Sequence, residues 1–167
     1  MQTTLVSNPA LPPRGAAAPH CHSHAPVVLA RSPVADGDDA FVAMLGAYRG
    51  SGGLARADEV VALLERGGLA GIATLARWIV EGRVIHFEWQ QQTWLPWFQF
   101  QRADHQPDPA LHAVFAELGS VYDLWDMAHW FARPNSALAG GVPLQLIGGD
   151  ANAVLQAARA DRYIAKG

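Results

Sequence analysis

The chain has 167 residues, half of them hydrophobic, with 12 basic against 15 acidic side chains and a formal charge of −3. That length holds one domain or two very small ones, and the near-balance of charge gives no support for a broad polyanion-binding surface, which needs clustered Lys and Arg, while leaving a locally basic face open. The single cysteine, Cys21, excludes an intramolecular disulfide and a cysteine zinc cluster; with no apolar run of about 18 residues and no Lys or Arg among Met1 to Ala10 to begin a signal peptide, the expectation is a cytoplasmic protein without a membrane span.

Residues 1–36 carry six of the 11 prolines and show no helical or strand period, so they are expected to form a disordered Pro/Ala-rich tail. Residues 37–54 read as a short helix with Phe41, Met44, Leu45 and Tyr48 on one face, closed by a glycine-rich linker, Gly50-Ser51-Gly52-Gly53. Residues 55–102 read as a helix-turn-helix-like unit. Its first helix covers 56–66 and stops at Gly67-Gly68. Its second runs from Gly71 to Glu81 with Ile72, Leu75, Ala76 and Ile79 inward. Ile85, Phe87 and Trp89 then alternate with polar residues, and Trp94, Pro96, Phe98 and Phe100 repeat the alternation after Gln90-Gln91-Gln92. That is the pattern of a β-hairpin wing, with the Pro96 strand at an edge because Pro donates no ladder hydrogen bond. Two helices and a hairpin make a winged helix-turn-helix.

Residues 108–167 read as a small helical domain. Asp108-Pro109 supplies an N-cap carboxylate and Pro at the first helical position, ahead of Leu111, Val114, Phe115 and Leu118. Ser120-x-x-Asp123 resembles a capping box and opens a helix carrying Val121, Leu124, Trp125, Ala128 and Phe131. That helix must stop before Pro134. Asn135 caps a further short turn, Gly140-Gly141 breaks it, Pro143 opens another, and Asp150 caps a last helix to about Ile164. The fold class expected is therefore mainly α, with a winged helix-turn-helix-like unit and one β-hairpin followed by a small helical domain.

The run Trp125-x4-Trp130-Phe131-x2-Pro134-Asn135-x2-Leu138-x-Gly140-Gly141-x-Pro143-Leu144-x-Leu146 resembles the signature of the Xre/MbcA/ParS-like toxin-binding domain of bacterial antitoxins. The likeness extends upstream through Gln92–Phe100 and downstream through Asp150–Tyr163, covering roughly residues 55–167. It departs at Val142, where a polar cap before Pro is common, and in the long N-terminal tail. The resemblance implies a non-enzymatic protein without cofactor or resident metal. Its partner would be a RES-type, NAD-consuming toxin whose active-site entrance the C-terminal region covers. Carried onto this chain, Asp161, Arg162, Tyr163 and Lys166 become the candidate toxin contacts. Independently of the family, Pro134 and Asn135 fix a sharp corner, Leu138 packs beneath it, and Gly140-Gly141 permits close backbone approach.

Other readings stay open. A transcriptional autoregulator would place the second helix in the major groove of an operator, with Thr74, Arg77 and Arg83 as candidate contacts. Against that, residues 56–102 hold five basic and five acidic side chains. A structural or phage-related interaction protein is a third reading, and a homodimer is compatible with all three. His20-Cys21-His22-x-His24 contains metal-ligand residue types without distant partners, and Asp126 and His129 are spaced to share a helix face. The six tryptophans, Trp78, Trp89, Trp94, Trp97, Trp125 and Trp130, are expected mostly in the core.

Overall fold

In the computed structural model, which describes residues 33–167, seven α-helices surround a three-stranded antiparallel sheet. In chain order these are α1 (Pro33–Tyr48), β1 (Leu54–Arg56), α2 (Ala57–Arg66), α3 (Gly71–Val80), β2 (Phe87–Trp89), β3 (Gln92–Pro96), α4 (Pro109–Leu118), α5 (Leu124–Ala132), α6 (Pro143–Leu146) and α7 (Ala151–Lys166). The expected tail overlaps α1 by four residues. Its remainder, with the His-Cys-His cluster, lies outside the described residues.

The sheet order is β1-β3-β2, so β3 is the central strand and not the edge strand that Pro96 led us to expect. The reasoning about Pro96 holds locally. β2 pairs with β3 only as far as Phe87 opposite Trp94, while on the other side Trp97 N donates to Gly53 O at 2.9 Å. Amide directions alternate along a strand, so the N–H that Pro96 lacks would point past the end of β2. β1 was not foreseen, because Leu54-Ala55-Arg56 is too short to show a period after four turn-forming residues. The expected second strand also ends early, as Trp97–Gln99 turn into a 3-10 helix.

Side chains alternate across a strand, and here the two faces feed two cores. Leu54, Phe87, Trp89 and Trp94 join a larger core with Phe41, Met44 and Tyr48 of α1 and the inward residues of α4, α5, α6 and α7. Ala55 and Leu95 join a smaller core with Val60, Leu64, Leu75, Trp78, Val84 and Phe100. Residues 33–167 accordingly form one compact unit, with the sheet shared between its two cores. The Phe41 ring stacks on Trp89 at 3.8 Å between centroids, and the Tyr48 hydroxyl donates to Ala128 O at 2.7 Å, so α1 is held by the sheet on one side and α5 on the other.

Gln99 is fully buried and substitutes for a strand. Its Oε1 accepts from Ile85 N at 2.7 Å and its Nε2 donates to Ile85 O at 2.9 Å. This satisfies the main chain just before β2, where a lost partner would cost about 1–3 kcal/mol per buried group.

Three helices differ from expectation. α3 is rotated: its buried residues are Gly71, Thr74, Leu75 and Trp78, while Ile72 and Ala76 face outward. Trp78 is the reason, since the largest apolar side chain takes the core position and carries its i−4 neighbour Thr74 inward with it. In α1, Leu45 is exposed. α5 begins at Leu124 and is capped by Asp123, whose Oδ1 accepts from Asp126 N at 2.8 Å. Ser120 instead donates to Glu117 O, leaving Val121 in a turn.

Candidate functional site: the corner and the last helix

The segment from Trp130 to Leu146 folds as the residue types dictate. Ahead of Pro134, Arg133 leaves the helix for extended backbone (φ −111°, ψ 151°). Asn135 is buried and fully engaged. Its Oδ1 accepts from Ala137 N at 2.8 Å, its main-chain N donates to Gly141 O at 2.9 Å, and its carbonyl accepts from Leu138 N and Gly140 N. Gly141 sits in close contact with its neighbours. A Cβ there would lie 2.7 Å from Leu146 Cδ1 and 3.0 Å from Leu138 O. Leu138 packs against the larger core, Pro143 and Leu144 are buried, and Phe131 is enclosed by Phe98, Phe115 and Trp130. Trp125 meets Phe87 edge-on at 5.1 Å and His129 at 5.0 Å. All ten residues of the expected scaffold, Pro134 included, thus belong to this corner or to the core behind it.

Asp161 is the residue whose role changes most. We expected it among exposed contacts near the C-terminus. It is instead partly buried, and its Oδ2 accepts from Trp130 Nε1 at 2.6 Å and from Asn135 Nδ2 at 2.7 Å. One carboxylate oxygen thereby joins α5, the corner and α7. Charged acceptors make the stronger class of hydrogen bond, and both donors come from side chains already fixed by packing.

Beside this junction lies a cavity of about 440 Å³ lined by Tyr122, Asp126, His129, Trp130, Arg133, Pro134, Asn135, Ser136 and Asp161. Asp126 and His129 share its wall, as their spacing suggested. Burial, then the charge of Arg133, holds the His129 imidazole below its ordinary pKa, with Asp126 opposing. Burial raises the Tyr122 hydroxyl, and the Asp161 and Asp126 carboxylates raise it further. At neutral pH the cavity therefore presents an uncharged imidazole and an uncharged phenol between two carboxylates and the Arg133 guanidinium, an arrangement suited to hydrogen-bonded recognition. Among the described residues no group of three or more His, Cys, Asp or Glu is placed to hold a metal ion.

The remaining candidates from α7 divide. Arg162 Nη1 lies 2.6 Å from Glu117 Oε2, and Arg159 Nε donates to Glu117 Oε1 at 3.0 Å, so both clamp α7 to α4. Lys166 is exposed, and Tyr163 is 79% exposed. The neighbouring Ile164, 74% exposed, was not foreseen: three residues after Asp161, it continues the buried stripe of Val154, Ala157 and Ala158, and nothing in the sequence signals that the cover over that stripe ends before it. Glu117 and Tyr122 were also missed, because each acts through a helix distant in sequence. Of the three candidate operator contacts, Thr74 is buried at 7% exposure and cannot reach a groove. Arg77 is exposed, and Arg83 sits 3.6 Å from Glu81. Among the described residues no helix is long and apolar enough to cross a membrane. No family model, curated protein or solved structure matches the chain.

Proposed function

We propose that the protein is a non-enzymatic, antitoxin-like binder that neutralises a partner toxin of the RES type through its C-terminal helical region. The resemblance of Trp125–Leu146 to the toxin-binding signature is the starting point. The observation that carries the reading is the double hydrogen bond to Asp161, which holds α7 against the corner while its last turn stays exposed. A side chain fixed before binding loses less entropy on binding than one on a frayed end. The contact surface is accordingly the end of α7, with Tyr163 and Ile164 as the apolar anchors and Lys166 at the rim. Asp161 supports that surface from beneath, and Arg162 supports it through its ion pair with Glu117.

The test is co-expression with the product of the neighbouring gene. We expect a stable complex and relief of the neighbour's toxicity. Tyr163→Ala combined with Ile164→Ser should weaken that complex by about 2 kcal/mol or more, the scale of an interface hot spot, while leaving the melting temperature of the free protein unchanged. A harmless neighbour that forms no complex would remove the proposal.

The operator-binding reading has one observation in favour. The order α1-β1-α2-α3-β2-β3, with β3 between the other two strands, is compatible with a winged helix-turn-helix. The outer side of α3 argues against it, since it carries Ile72, Ala73, Ala76 and Val80 around a single guanidinium, Arg77. An operator shift that salt suppresses and Arg77→Ala weakens would favour this second reading over the first.

A further inference from the structure

Between α2 and α3 runs a groove of about 500 Å³ whose walls are mostly apolar, and its lip is the outward stripe of α3. Ile72 is 72% exposed and Val80 86% exposed. They lie four residues either side of Ala76, on one line along the helix. No residue described in the protomer covers this stripe. Isolated exposed apolar residues are ordinary, but aligned ones beside an apolar groove mark a contact surface.

We propose that this face is the self-association surface of the protein, with α3 of one copy lying antiparallel on α3 of a second. The stripe is symmetric about Ala76. A two-fold axis through that residue brings Ile72 of each copy against Val80 of the other and leaves the small side chains Ala73 and Ala76 at the crossing, where helices can approach closely. A two-fold contact requires such a self-complementary patch.

The charges select the occupant. The α2 side of the groove is acidic, through Asp58 and Glu65, and Arg77 stands on the exposed face of α3, across the apolar stripe from the groove. Asp58 lies 3.6 Å from Arg56, whereas Glu65 and Arg77 form no ion pair among the described residues. A second copy supplies each unpaired charge with its opposite, twice over by symmetry. A polyanion would meet the carboxylates, and an acidic peptide would meet the same repulsion. Gly71 lets the two helices approach closely. A Cβ there would fall 2.8 Å from Val61 O, so α2 and α3 already touch at the groove's end.

Sedimentation of the full chain between about 1 µM and about 100 µM decides the matter, a range that spans the affinities of specific but reversible dimers. The expected result is a monomer–dimer equilibrium within that range. Ile72→Glu and, separately, Val80→Glu should each raise the dissociation constant at least about tenfold, because each places a charge in an apolar contact. Both sites are exposed, and unchanged circular dichroism would show that folding is intact. Arg77→Glu should also weaken the dimer, and adding Glu65→Arg should restore it. A wild-type monomer at every concentration overturns the proposal. So does a dimer that neither Ile72→Glu nor Val80→Glu disturbs. The neutralisation test above has a separate readout, so either inference can fail without the other.

Discussion

At the scale of single residues, Asp161 does more than its place near the end of the last helix would suggest. Asp161→Ala should strand the indole N–H of Trp130 and the amide of Asn135, with a loss of about 1.5–3 kcal/mol, the range for hydrogen bonds to a charged group. Asn135→Ala should cost a similar amount. The two together should cost clearly less than their sum, since they remove a shared interaction. Chemical denaturation of the two single variants and the double variant measures this, and simple additivity would refute the junction. The histidines make a second prediction. His86 and His129 are both held below the ordinary value of 6.5, chiefly by burial. A depressed folded-state pKa means the unfolded chain binds protons more readily. Their contribution to stability is therefore present above 6.5 and is lost as pH falls through the folded-state values. The melting temperature should drop on acidification from neutral pH, and the drop should be shallower in a variant carrying His86→Asn and His129→Asn. Equal slopes for the two proteins would count against this account.

At the scale of elements, what was legible depended on how local the cause was. Most caps and stops read correctly because each is settled within a few residues; the exception is Ser120, whose place as the cap of α5 is taken by Asp123. Asp108, Asp150, Asn135 and the bend before Pro134 all serve as their types predict. The rotation of α3 was not legible, because the stripe of Ile72, Leu75, Ala76 and Ile79 and the stripe containing Trp78 are equally periodic. Only the sheet and α2 decide between them. Asp161 was readable in principle. It continues the i, i+3, i+4, i+7 stripe of Val154, Ala157 and Ala158, and a carboxylate on a buried stripe demands a donor. Gln99 offered no such signal, since its partner Ile85 is 14 residues away. Gln99→Leu keeps the size but strands both main-chain groups of Ile85. We expect a destabilisation of about 2 kcal/mol or more, together with faster amide exchange at Ile85. An unchanged melting curve would show that water replaces the side chain.

At the scale of the molecule, the two segments identified in the sequence, 55–102 and 108–167, meet at a sheet whose opposite faces belong to different cores. The smaller core closes with residues between Ala55 and Phe100. The larger one does not close until α7 is present, although its first contributor is Phe41 of α1. The Tyr48 hydroxyl spans 80 residues to reach Ala128 O. This spacing has a consequence for synthesis. On the ribosome, the chain can complete the smaller core while Phe41, Trp89 and Trp94 still await the helices that will cover them. Long-range contacts are late contacts, and exposed apolar surface in a half-made chain invites aggregation. A nascent chain arrested after α4 emerges should resist proteolysis between β1 and β3 yet remain cleavable in α1, and release of the last helix should protect both together.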